Sequence, residues 1–355
     1  MYELNSKLKK VEPYDPVEGQ YKIRLDANES FFNINSMLGD KIAEEIKKVD
    51  MNRYPDPLAT TAVKAFSDFY GVPEKYVTAA NGSDELISII TSCFLEKGDK
   101  VLTLSPDFSM YAFYGSLYEL NVESLPKESS LHISIPKVIS HCNNNKIKAV
   151  IFSNPCNPTS LGVTKQDIIK LVKNVFCLVI VDEAYMDFWD QSVLDEIENF
   201  DNLIILKTCS KSMGLAGIRV GFAVAGETIT TALRSVKSPY NTDTISQAIC
   251  KTVLSEKETL NKLCAEIVES RKSLYEEILA LSKKYVRLEK VYDSVTNFVF
   301  IKTSLAKEIY EKLLERSIAI RYMGSYIRIT AGSPEENAAV VSAVDEILKD
   351  METEE

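Results

Sequence analysis

Histidine is scarce in this chain. Its 355 residues contain two, His132 and His141, both within LHISIPKVISHC. A histidine-built zinc centre is thereby disfavoured, and a serine-hydrolase triad would have to recruit one of this pair. Both read as ordinary surface or loop residues. The seven cysteines, at 93, 142, 156, 177, 209, 250 and 264, form no CxxC pair. Several lie in apolar runs, as Cys177 does in VFCLVIV, so they are expected to be reduced, largely buried thiols without disulfides. The longest purely apolar run, Val175 to Val181, is seven residues, against the roughly 20 that a membrane span needs. The lysines of MYELNSKLKK are not followed by an apolar targeting core, and a cytoplasmic protein is expected. No clustered cationic face is evident either. Lys+Arg 41 against Asp+Glu 51 gives a net charge of −10, so neither nucleic acid nor a membrane is an expected partner. GxGxxG, GxxxxGK[ST] and GxSxG are all missing, which leaves a dinucleotide fingerprint, a phosphate loop and a nucleophile elbow unsupported.

What is present is a core. Hydrophobic residues make up 45% of the chain and charged residues 26%, the balance of a globular protein of about two domains. Residues 1–35 read as an arm or loop, broken by Pro13 and Pro16 and by the turn-forming LDANES. Helices are expected at Asp40 to Val49, at Thr60 to Tyr70 (stopped by Gly71 and Pro73), and from NGSDE to Gly98. Apolar strands are expected in KVLTL, at Ala149 to Ser153, Phe176 to Val181, Asn202 to Thr208, and Ile218 to Val224. Runs of Val and Ile without polar alternation indicate strands buried on both faces, hence a parallel sheet covered by helices such as Lys165 to Asn174. After about 245 one long helical pattern leads into a short α/β tail: TNFVFIKT, a helix at Leu305 to Arg316, YIRIT, and a helix from Pro334. The expected organisation is an arm, 1–35, adding to a small domain; a large domain, 36–245; and that small domain, 246–355.

In an open parallel sheet, ligands bind beyond the carboxyl ends of the strands. Three strands here run into FSNPCNPT, VDEAYMDF and TCSKSMGLAGIRVGF. Lys211, between two serines and just after a buried strand, could be desolvated into a neutral nucleophile suited to a Schiff base with an aldehyde cofactor. Asp182, at a strand end, could hold a proton on a pyridine nitrogen. Tyr185 and Asn157 are within sequence reach of a ring hydroxyl. Gly82, Ser83 and Asp84 open a helix whose N–H groups could take an anion, aided by Ser210 and Arg219.

These segments, in order, resemble those of the fold-type I pyridoxal-phosphate-dependent aminotransferases of class II, in particular the histidinol-phosphate branch. The matching stretches are LDANES at 25–30, RYPDP at 53–57, NGSDE at 81–85, PDFSMY at 106–111 and NPCNPT at 154–159. They continue with VDEAY at 181–185, SKSMGLAGIRVGF at 210–222, PYN at 239–241 and YIRITAGSPEEN at 326–337. The resemblance implies an α/β large domain with a mostly parallel seven-stranded sheet between helices, plus a smaller α/β C-terminal domain. It implies pyridoxal 5'-phosphate as cofactor, no metal, and reversible transamination between L-histidinol phosphate and 2-oxoglutarate. Threonine-phosphate decarboxylation, aromatic-amino-acid transamination or a non-catalytic binding module are the alternatives on the same scaffold. By the same resemblance, Lys211 carries the cofactor and moves the proton, Asp182 pairs with the ring nitrogen, Tyr185 and Asn157 bind its oxygen, and Tyr111 stacks on the ring. Gly82, Ser83, Asp84, Ser210 and Arg219 surround the phosphate, and Tyr54 reaches the cofactor phosphate of the other subunit in a homodimer. Arg328, with Asn28 and Tyr14, meets the substrate. Cys156 and Ser160 depart from the family's NPNNPTG.

Overall fold

The Val- and Ile-rich runs do form the centre of the molecule. In a computed structural model that describes residues 2–5, 7–11 and 17–353, chain order begins β1 (Ile23–Arg24), α1 (Ile34–Ile46), α2 (Thr60–Tyr70), β2 (Val77–Ala80), α3 (Gly82–Cys93), β3 (Lys100–Ser105), α4 (Met110–Leu117) and β4 (Asn121–Pro126). It continues α5 (Ile135–Asn145), β5 (Ala149–Ser153), α6 (Lys165–Lys173), β6 (Leu178–Asp182), β7 (Leu203–Thr208), β8 (Gly221–Ala225), α7 (Glu227–Val236), α8 (Thr244–Leu254) and α9 (Lys257–Lys284). The end of the chain supplies β9 (Lys290–Val291), β10 (Phe298–Lys302), α10 (Ala306–Glu315), β11 (Ile318–Ala319), β12 (Arg321–Tyr322), β13 (Tyr326–Thr330) and α11 (Pro334–Thr353).

The main sheet has seven strands in the order β2-β8-β7-β6-β5-β3-β4. Only β8 runs against the rest, antiparallel to both β2 and β7, while the remaining neighbours pair in parallel. Strand parity divides the core. Val179, Val181, Ile205, Phe222 and Val224 face the side covered by α1, α2, α5, α6 and α8. Ile180, Ile204, Leu206 and Ala223 face the side covered by α3, α4 and α7. Each fully buried Val, Ile or Leu contributes about 1.5–3 kcal/mol, so a one-residue slip of a central strand is strongly disfavoured.

A second cluster joins Leu25 of the arm to Leu274 and Ile278 of α9 and to β10, β13 and α11. These last two strands belong to a four-stranded antiparallel sheet, β12-β13-β10-β9. The arm also pairs directly, β1 lying parallel to β11. The expected boundary at 245/246 falls inside α8, whose Cys250, Val253 and Leu254 lie in the main-sheet core. Helix α9 passes from that core at Leu263 to the second one at Leu274.

Several expected elements shift. The first helix begins at Ile34, six residues before the expected Asp40, because Asn33 caps it through Asn35 N–H. The strand expected from Phe176 begins at Leu178, and Phe176 itself is 99% exposed. The strand expected from Ile218 begins at Gly221, after a single 3-10 turn. The long helical pattern is two helices, α8 and α9, parted at Ser255 and Glu256. All seven cysteines are free, and Cys93 is exposed instead of buried. Among the described residues, no helix is long and apolar enough to cross a membrane.

Candidate active site

Six strands of the main sheet point the same way, so β2 to β7 all end at one edge, and the reversed β8 starts there. The segments after β2, β3, β5, β6 and β7 and before β8 carry most of the chemistry-bearing residues named above. Lys211, three residues beyond β7, is half-buried and donates to the carbonyl of Ala27 at 2.9 Å. Its ammonium lies 5.9 Å from the centre of the Tyr185 ring. Burial, with Arg328 and Arg219 nearby, lowers the amine to about 8, against the opposing pull of Glu29 and Asp182.

Asp182 is the last residue of β6 and is buried. Its partners are neutral: the Tyr111 hydroxyl at 2.8 Å and the Ala184 N–H at 3.1 Å. Burial therefore pushes the carboxyl up to about 6, with Asp107 and Asp84 adding to the rise. A buried carboxylate served only by neutral donors fits a cationic N–H beside it, which would restore the charged form. Tyr185 packs edge-on against Phe298 at 5.4 Å, and its hydroxyl accepts from Asn28 Nδ2 at 2.9 Å. Asn28 sits at φ 55° and is held from the small sheet by Thr330.

The residues expected to hold an anion lie where β8 and α3 meet. Gly82 has φ +75°, and a Cβ there would stand 2.8 Å from Arg219 Nη2. A Cβ on Gly221 would reach 2.3 Å from the Ser83 nitrogen, so the first turn of α3 rests directly on β8. The free N–H groups of that turn carry the positive end of the helix dipole. Arg219 is exposed and reaches within 3.5 Å of Ser210 Oγ, which in turn accepts from Thr208. Asp84 receives the Tyr114 hydroxyl at 3.2 Å on one oxygen, and the other is buried without a partner among the described residues.

Arg328, on β13, comes from the opposite side. It donates to Asn157 Oδ1 at 2.5 Å and to the Asp26 carbonyl at 2.6 Å, with its guanidinium 5.3 Å from the Phe298 ring. The second sheet thus presents a buried cation to the loop after β5. Ser160, where the family has glycine, has φ 61° and donates to the Asp293 carbonyl at 2.7 Å. That bond helps offset the roughly 1 kcal/mol that a non-glycine residue loses in this region. Tyr54 stands apart within the single chain, 81% exposed and stacked on Tyr240 at 4.6 Å. Tyr14 lies outside the described residues.

Sequence reasoning missed two buried ionic groups beside the site. Asp107 accepts from the Ser153 hydroxyl and is paired with Lys127, which also donates to Cys156 Sγ at 2.9 Å. Lys207 pairs with Asp187 and Glu183. The available signal was a lysine at the end of the apolar run NLIILKT, since a buried charge needs partners. A hollow bordered by Lys100 and Lys148 opens at the amino ends of β3 and β5, opposite this edge. No metal-competent cluster occurs among the described residues.

The chain is 40% identical over 342 residues to the histidinol-phosphate aminotransferase of Clostridium novyi (strain NT), covering 95% of each. It superposes on the histidinol-phosphate aminotransferase of Sinorhizobium meliloti in complex with pyridoxal-5'-phosphate with a TM-score of 0.88, at 19% identity and 99% coverage of both chains. It also superposes on the L-threonine-O-3-phosphate decarboxylase of Porphyromonas gingivalis, with a TM-score of 0.78, 20% identity, and coverage of 92% of this chain and 99% of that one. At such identities the two superpositions establish the fold alone, the fold-type I aminotransferase architecture. The profile of aminotransferase class I and II matches residues 21–344, and the chain belongs to that family.

Proposed function

We propose that the protein is a pyridoxal-phosphate-dependent transaminase that exchanges the amino group between L-histidinol phosphate and 2-oxoglutarate. The observation that carries the chemistry is the placing beyond one sheet edge of a lysine whose amine is lowered to about 8, Lys211, and a buried carboxylate hydrogen-bonded to the neutral donors Tyr111 and Ala184, Asp182. The full-length relative at 40% identity carries the choice of substrate. When bound, the cofactor supplies an aldehyde and an electron-accepting ring.

The chain's own residues do the rest. Lys211 is the attachment point, and with its amine near 8, about a tenth is neutral at pH 7. The same amine takes the proton from the substrate Cα and returns it to the cofactor carbon. Asp182 keeps the ring nitrogen protonated. Tyr185 and Asn157 hold the ring oxygen, and Tyr111 flanks the ring while its hydroxyl steadies Asp182. Gly82, Ser83, Ser210 and Arg219 hold the phosphate, with Asp84 on the same turn. Arg328 clamps the substrate anion. A guanidinium fork suits both a carboxylate and a phosphate, as alternating substrates require. Asn28 and Tyr14 complete the substrate side. We further propose a cytoplasmic homodimer in which Tyr54 reaches the partner's cofactor phosphate.

The test is a half-reaction. The purified protein is loaded with pyridoxal phosphate and mixed with L-histidinol phosphate in the absence of any keto acid. Bleaching of the visible absorption, restored by 2-oxoglutarate, is the expected result, and Lys211→Ala should abolish it. An unchanged spectrum, with carbon dioxide released from threonine phosphate instead, would move the chain to the decarboxylase reading.

A further inference from the structure

Behind the site lies a set of buried ionisable groups for which the proposed reaction has no use. Lys207 stands two residues after Ile205 on β7, so it points to the same sheet face, into the apolar side packed by α2. Its ammonium is 2.7 Å from Asp187 Oδ1 and 3.8 Å from Glu183 Oε2, and lies over the Tyr70 ring at 4.7 Å. The Tyr70 hydroxyl donates to Asp187 at 2.9 Å. Glu183 accepts from the Ser192 hydroxyl at 2.6 Å and the Val193 N–H at 3.1 Å. The two carboxylates outweigh burial and hold Lys207 above its ordinary value.

A buried ion network of this kind is weak evidence for added stability, since well-packed apolar residues often serve as well. Its covalent attachments are more informative. Glu183 is the next residue after Asp182. Ser212 is the next residue after Lys211, and its hydroxyl donates a hydrogen bond to Asp187 Oδ2. The turn from Cys209 to Leu215 is also held by Gly214 N–H to the Lys211 carbonyl and Leu215 N–H to the Cys209 carbonyl, and on the far side of Lys211 by Ser210 N–H to Thr208 Oγ1 at 3.2 Å. One ionic cluster therefore grips the neighbours of both reacting groups.

We propose that the Asp187–Lys207–Glu183 cluster, acting through Ser212, is a positioning device that fixes the Lys211 amine relative to the Asp182 carboxylate. The proposal rests on the roles given above to those two residues. Ser212 touches neither substrate nor cofactor in this scheme. It sets the backbone from which Lys211 extends, and misplacement of a reacting group by about 1 Å costs up to roughly a hundredfold in rate.

The test uses Ser212→Ala, which deletes the tether without leaving a buried charge unpaired, and Ser212→Thr, which keeps the hydroxyl. The readout is the rate at which Lys211 of the cofactor-free protein is labelled by pyridoxal phosphate and trapped with borohydride, followed by peptide mass spectrometry. Labelling in Ser212→Ala should slow about tenfold, and Ser212→Thr should recover most of it. In the loaded enzyme kcat should fall by a similar factor while KM moves by less than about twofold. Equal labelling rates and equal kcat in Ser212→Ala and wild type would overturn the positioning role. So would failure of Ser212→Thr to recover a loss. If Lys211 of the wild type is not labelled at all, it is the transaminase reading that fails.

Discussion

Asp182 is a residue whose usefulness and stability oppose each other. Its carboxyl is displaced from an ordinary 3.8 to about 6 by burial. The folded, cofactor-free protein therefore binds a proton there more tightly than the unfolded chain does. The sign follows: stability from this group is present at low pH and is lost as pH rises through about 6, by roughly 3 kcal/mol in all. Asp182→Asn removes that loss while keeping an oxygen to accept from Tyr111. The cofactor-free variant should melt higher than wild type at pH 8, and the gap should close as pH falls toward 4. The same variant should transaminate at least a hundredfold more slowly, because a neutral amide cannot hold the ring proton. Thermal melts of both proteins at several pH values, with and without pyridoxal phosphate, check both halves. Wild type should be recovered most strongly by the cofactor, since binding supplies the cation that the carboxylate lacks.

At the scale of elements, the first turn of α3 is built for close approach. With φ +75° at Gly82 and Arg219 2.8 Å from the place of a Cβ, Gly82→Ala meets both a backbone and a steric cost. The left-handed conformation costs alanine about 1–2 kcal/mol, and the Arg219 guanidinium must move off the position proposed to hold the phosphate. The expected outcome is a cofactor Kd raised about tenfold or more, measured by fluorescence titration, with kcat at saturating cofactor changed far less. The glycine was legible because NGSDE has the form of a helix start. So were the strands that run apolar throughout, β5, β6 and β7, and the loops that follow them. Others were hidden for physical reasons. Strand β2, VTAA, has the weak strand preference of alanine and is a strand because it pairs with β8. Strand β4, NVESLP, is a half-exposed edge and carries no apolar run. Helix α1 contains Gly39, which reads as a break because glycine is unfavourable inside helices. Asp187 and Lys207 lie 20 residues apart and meet only through the parallel pairing of β6 and β7. Local pattern carries no such pairing, so the cluster was invisible while Lys211 and Asp182, each marked by its own strand end, were not.

At the scale of the whole molecule, one expected site residue among the described residues, Tyr54, stands away from the others in the single chain. Tyr54 is stacked on Tyr240, with its ring largely in solvent and with Met51 and Leu58 also exposed nearby. An exposed stacked aromatic pair fits a second copy of the chain, and in a two-fold dimer each subunit would offer its Tyr54 to the other. This predicts complementation. Lys211→Ala lacks the proposed attachment point but has an intact Tyr54. Tyr54→Ala has an intact Lys211 but no aromatic to offer. Each variant alone should be impaired, the first fully and the second through weaker cofactor binding. When the two are unfolded together and refolded, about half of the dimers are mixed, and each mixed dimer holds one site with both residues intact. At limiting cofactor, activity should therefore rise toward about a quarter of the wild-type value per site. Sedimentation must give twice the chain mass for the argument to apply. Recovery fails if Tyr54 serves its own subunit, because the mixed site would then still lack it. Mixing distinguishes the two arrangements where either variant by itself cannot, since loss of activity on Tyr54→Ala is expected from both.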